Sequence, residues 1–185
     1  MSRILLTKLH LAFAAVMFPA VLMFLVTGAL YTWGNKGEWY EESANVALNE
    51  PLTTQSEGDI TSFAVQQMVQ RDLPIPSGKL SVTEGEDASL TWSGARSEIS
   101  IKQGDDPLVA NVDVKEASMH RWLVQLHKAK GSTAFKVYAS FLALVLFLLV
   151  ASGIVMGLQV KSMRRLTLGS GAAGLVAFVT FVLMG

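Results

Sequence analysis

Residues 11–33, LAFAAVMFPAVLMFLVTGALYTW, run for 23 residues without a charge. Residues 137–158, VYASFLALVLFLLVASGIVMGL, do the same over 22, and residues 166–185 over 20. A helix needs roughly 20 apolar residues to cross the hydrocarbon of a bilayer. Three transmembrane helices therefore set the fold class, a membrane α-helical protein, and leave one long polar segment between the first and the second.

Charge gives that segment its side. All 15 Asp and Glu residues fall between Glu38 and Glu116, where only Arg71, Lys79, Arg96, Lys102 and Lys115 are basic, so the segment carries −10 and the rest of the chain +10. Arg3 and Lys8 precede the first span, and Lys161, Arg164 and Arg165 crowd the link between the second and third. The positive-inside bias puts both groups in the cytoplasm, and with them the N-terminus. The acidic segment and the C-terminus are then outside. Lys128, Lys130 and Lys136 oppose this locally, but they flank a long translocated domain, where charge counts for less. A cleaved leader is not expected: the first apolar run exceeds the roughly 7–15 residues of a signal peptide, and Tyr31 and Trp33 read as an interfacial aromatic anchor. Cysteine is absent, which excludes disulfides, thiolate metal sites and the Cys-x-x-Cys-His attachment of c-type haem. No nucleic-acid partner is expected.

The expected organisation is a cytoplasmic N-terminus and first transmembrane helix over 1–33, an exported domain over 34–117, an amphipathic lead-in and second transmembrane helix over 118–158, a cytoplasmic loop over 159–165 and a third transmembrane helix over 166–185. Within the exported domain, Asp59 can cap a helix running to about Gln70, with Ile60, Phe63, Ala64 and Met68 on one stripe. Alternating apolar residues follow at Leu80 and Val82, Ala88 to Trp92, Ile99 and Ile101, and Leu108 to Val114, separated by turn clusters. This predicts a small α+β domain, one helix on a four-stranded antiparallel meander. It contains no His, no nucleophile with a base, and no glycine-rich phosphate loop. Its acidic face favours cation approach or serves solubility alone.

His10, His120 and His127 are the only histidines, and all stand at the edges of spans. Ionisable groups at that depth are candidates for function, because an unpaired polar group there is costly; the plainer reading is an interfacial ring that tolerates both environments. His120 and His127, seven residues apart, share one face of a helix about 10 Å apart along its axis. Each span also carries small residues: Thr27-Gly28 in the first, Ser152 with Gly153 and Gly157 in the second, Gly169 to Gly174 in the third. Such patches let helices approach closely or let a flat macrocycle lie on the backbone. Imidazole-ligated haem is the cofactor that bundles of this kind most often serve.

Leu9-His10 opening a span that ends in Thr27-Gly28, a small exported α+β domain, and Leu126-His127 with Gly131 leading into a span that ends in Ser152-Gly153 together resemble the PepSY-associated transmembrane proteins, in a short, three-span form. The resemblance implies a b-haem protein of the bacterial inner membrane, some of whose relatives reduce ferric iron or ferric siderophores on the periplasmic side. It also implies that His10 and His127 are axial ligands to haem iron. The residues themselves add His120 as a further candidate ligand and Gly28, Gly153 and Gly157 as candidates for haem contact or helix packing. Three spans in place of four, few histidines, and no Gly after Val112-Asp113-Val114 depart from the larger relatives.

Two axial ligands of one iron sit about 4 Å apart, at roughly 2 Å from the metal, whereas His10 and His127 are expected at opposite faces of a layer about 30 Å thick. A two-fold dimer along the membrane normal pairs each His with its own copy. Within one chain the alternatives are His10 with Met156, or His120 with His127 after a helix break. Two functions follow. One is an oxidoreductase that moves electrons across the membrane to ferric iron, free or chelated, in support of iron uptake; its electron donor is a quinol or a separate protein, since no nicotinamide fingerprint is present. The other is a non-enzymatic, membrane-anchored interaction or accessory module.

Overall fold

The computed structural model describes residues 3–185. Among the described residues three helices are long and apolar enough to span a membrane: α1 (Arg3–Thr32), α4 (Thr133–Gln159) and α5 (Lys161–Met184). Between α1 and α4 come β1 (Trp39–Ala47), a 3-10 turn (Leu52–Thr54), α2 (Glu57–Gln70), β2 (Leu80–Thr83), β3 (Ser89–Ser93), β4 (Ser97–Gln103), β5 (Val109–Ala117) and α3 (Met119–His127). The chain forms two compact units, one comprising α1 up to Ala20 with Ser140–Gly185, the other Val21–Ala139.

In the first unit, α1 begins well before its apolar run. Leu, Lys and Arg are good helix formers and nothing between Arg3 and His10 breaks the ladder. The seven-residue link expected over 159–165 shrinks to Val160, and Lys161, Arg164 and Arg165 lie inside α5. The Arg164 guanidinium donates from Nε to the carbonyl of Leu158 at 3.1 Å, which satisfies one of the orphan acceptors at the end of α4 and lets the turn be tight. Gly157 serves that same turn: a Cβ there would collide with the Thr167 side chain of α5.

In the second unit the sheet has order β1-β5-β4-β3-β2, antiparallel throughout. The expected meander is its last four strands. The fifth, β1, pairs with β5 from Trp39↔Ala117 to Ala47↔Val109. Ala110, Val112 and Val114 of β5 point the same way at period two, with Ile99 and Ile101 of β4 and Leu90 of β3, and bury against Ile60, Ala64 and Met68 of α2 and Leu52 of the turn. The cap of α2 is Ser56 in place of the expected Asp59. Asp59 is its reciprocal partner three residues into the helix, in a capping box that satisfies two backbone donors.

The sheet begins and ends at one neck. Ser118 donates its N–H to the Glu38 carbonyl at 3.0 Å, and its hydroxyl accepts the N–H of Glu38 (3.2 Å) and of Arg121 (3.2 Å), so it closes the sheet and caps α3 together. Gly37 makes this possible. Its φ is +70°, and a Cβ would lie 2.5 Å from the backbone N of Arg121. Gly37→Ala should therefore cost about 2 kcal/mol or more, from the left-handed backbone and the clash together. Amide exchange in α3 should accelerate more than tenfold; unchanged exchange would show that the neck does not hold the helix. The ammonium groups of Lys36, next to Gly37, and of Lys128, after α3, each lie over the Tyr31 ring, 5.5 Å from its centroid.

Candidate functional site

His127 is the last residue of α3. The helix stops there because Ala129 takes a left-handed φ of 57°, its N–H bonding to the Leu126 carbonyl at 2.9 Å while Lys130 N–H reaches Gln125 at 3.0 Å. The imidazole then meets the end of α1. Its Nδ1 lies 3.0 Å from Thr27 Oγ1, and its ring sits 4.9 Å from that of Phe24, tilted by 42°. Gly28 lets the ring rest on the helix backbone, since a Cβ there would fall 3.2 Å from His127 Cε1. Thr27 is 2% exposed and donates its own proton to the Met23 carbonyl at 2.6 Å.

His10 stands in the other unit, on α1, and meets α4 in the same way. Its Nδ1 is 2.8 Å from Ser152 Oγ, and Ser152 donates to the Leu149 carbonyl at 2.9 Å. The residue after the hydroxyl is again glycine, its Cβ position 3.9 Å from His10 Cε1. One turn back, Thr7 donates to the sulfur of Met156 at 3.6 Å. A cavity of about 220 Å³ opens beside His10, walled by Leu6, Leu9 and Phe13 of α1 and Val145, Leu148 and Leu149 of α4.

Each Leu-His pair thus meets a hydroxyl-glycine pair on another helix: Leu9-His10 with Ser152-Gly153, and Leu126-His127 with Thr27-Gly28. The family model described as the PepSY-associated TM region matches residues 1–183. The chain belongs to the PepSY-associated TM family. Neither a curated protein nor a solved structure matches the sequence. In this PepSY-associated TM protein His10 and His127 each bring an imidazole from one helix against a hydroxyl on another.

The remaining candidates lie elsewhere. His120 occupies the first turn of α3, about 10 Å from His127 along the axis, and its Nε2 is buried without a hydrogen-bond partner, as are Arg121 Nε and Gln125 Oε1. Gly157 faces Thr167 and not the His10 cavity. Among the described residues no group of three or more His, Cys, Asp or Glu gathers to hold a bare metal ion. Thr27 and Ser152 stand out in the sequence as small residues and as halves of the Thr27-Gly28 and Ser152-Gly153 pairs, whereas their bonds to the imidazoles, and the packing of Phe24, are visible only in the fold. Their signal was the order of the dipeptides, because a hydroxyl next to a glycine offers a bond and the room to reach it.

Proposed function

We propose that this is a b-haem protein of the bacterial inner membrane that delivers electrons to ferric iron, free or chelated, on the periplasmic side, in support of iron uptake. The observation that carries the reading is the twice-built unit of an imidazole held at Nδ1 by a hydroxyl over a glycine. Metal-ligating histidines are commonly held through their second nitrogen in this way, and the glycine leaves a flat surface. Haem held there supplies reversible one-electron chemistry, its potential set by ligand, burial and surrounding hydrogen bonds.

The residues fit that group as half-sites. The cavity at His10 is apolar, as a macrocycle requires, but its 220 Å³ falls below the roughly 300–1,000 Å³ of pockets that enclose a ligand. A second wall is needed, and a two-fold copy supplies it together with a second imidazole. His10 is the ligand toward the cytoplasm and His127 toward the periplasm, the orientation that the basic residues favour. The −10 charge of the sheet domain favours cation approach. Electrons enter from a quinol or a separate donor protein.

The test is the absorption spectrum of the purified protein, oxidised and then reduced, followed by addition of a ferric chelate. A reducible Soret band reoxidised by Fe(III), and lost in His10→Ala with His127→Ala, is expected. Protein free of haem from haem-supplied cells overturns the cofactor; reduced haem that no ferric complex reoxidises overturns the reductase and leaves an anchored interaction module.

A further inference from the structure

We infer that Thr27 and Ser152 are positioning residues, each fixing its histidine as the Nδ1–H tautomer and leaving Nε2 as the one free lone pair. Their purpose rests on the haem reading; the tautomer rests on hydrogen bonds alone.

A hydroxyl carries one proton and a backbone carbonyl carries none. Thr27 Oγ1 lies 2.6 Å from the Met23 carbonyl, so its proton is committed there, and Ser152 commits its own to Leu149 at 2.9 Å. Each oxygen therefore turns only lone pairs toward its imidazole. At 3.0 Å for His127 and 2.8 Å for His10, two facing lone pairs would repel, whereas an N–H pointing at oxygen makes an ordinary hydrogen bond. The ring must be the donor. A neutral imidazole has a single N–H, so placing it on Nδ1 leaves Nε2 unprotonated, the form in which nitrogen binds a metal.

The geometry selects this state at both sites by the same device. Thr27 is buried, so the opposite tautomer would leave its hydroxyl facing a lone pair with no water to turn to. Gly28 leaves the His127 ring room to lie against the α1 backbone, and the Phe24 ring packs on that imidazole as well. A hydrogen-bond partner on Nδ1 also fixes the orientation of the ring that a metal would meet. Losing such an outer partner typically weakens metal affinity about 10- to 100-fold.

The experiment uses the full chain in lipid nanodiscs, labelled with ¹⁵N-histidine and purified without haem, then titrated with haem. The nitrogen chemical shifts are expected to report Nδ1–H on His10 and His127. Thr27→Val should abolish that preference at His127 alone, weaken haem binding there by about 10- to 100-fold and raise the midpoint potential of the haem that remains. Thr27→Ser, which keeps the hydroxyl, should restore all three, and Ser152→Ala should produce the mirror result at His10. Nε2–H on either ring of the wild-type protein overturns the inference, and that measurement decides it even where a variant fails to fold. So does a Thr27→Val protein with unchanged tautomer and affinity. Wild-type protein with both Nδ1–H rings and no affinity for haem upholds the tautomer and defeats the haem reading instead.

Discussion

His127→Ala removes one haem site and leaves the other: the Soret absorbance per chain falls without vanishing, and only the double variant with His10→Ala abolishes it. Truncation takes away the sole imidazole that α3 presents to Thr27, and no substitute is within reach. The nearest histidine, His120, lies about 10 Å back along the helix. Truncation also strands the Thr27 hydroxyl, whose second bond goes to His127. The sheet domain should keep its stability, because its core is built from α2 and β3 to β5 without this residue. Haem quantified per chain, beside thermal unfolding followed in the sheet, separates loss of a ligand from loss of the fold. Full haem occupancy in His127→Ala would remove this residue from the site.

The second large effect comes from a residue with no chemistry. Gly28→Leu should empty the His127 site as thoroughly as His127→Ala, because the first carbon of any side chain meets the imidazole at 3.2 Å and the rest must occupy the space of the ring. Graded replacements distinguish this from general damage. At Gly28, Ala should cost roughly 1–3 kcal/mol in ring placement, the usual range for overpacking. At Gly153 the same methyl meets His10 at 3.9 Å, an ordinary contact, and Gly153→Ala should stay within about 0.5 kcal/mol of wild type. Haem titration of the two Ala variants checks the order, and equal affinities would show that Gly28 does not set the ring height.

The three long helices were legible because an uncharged run of that length has few other solutions, and β2 to β5 because their apolar residues alternate between turn clusters. β1 was not. Its centre reads Glu41-Glu42-Ser43, which breaks any run of alternating apolar residues, and its pairing with β5 is fixed only by residues some seventy positions away. The cap of α2 is ambiguous in the sequence by three residues, because Ser56 and Asp59 are both good caps and the capping box uses both. Three basic residues after α4 look like a loop in the sequence, whereas they lie inside α5 and Arg164 tightens the turn. The histidines stood out by rarity. Their hydroxyl partners did not, since the bonds join residues 142 and 100 positions apart, and Ser or Thr inside an apolar run resembles packing material until the partner is known.

The neck at Glu38 and Ser118 has a consequence for how the His127 contact forms at all. Bringing Thr27 and His127 together in an open chain means closing a loop of 100 residues. Once the sheet has zipped Trp39 to Ala117, the free path from Thr27 to Glu38 and from Ser118 to His127 is only about 20 residues. On the logarithmic scaling of loop entropy, that fivefold contraction lowers the cost of closure by about 1.4 kcal/mol. The sheet domain is in this sense a clasp. Folded first, it converts a remote encounter between two helices into a nearly local one, and a lesion in its strands would loosen the imidazole without touching it.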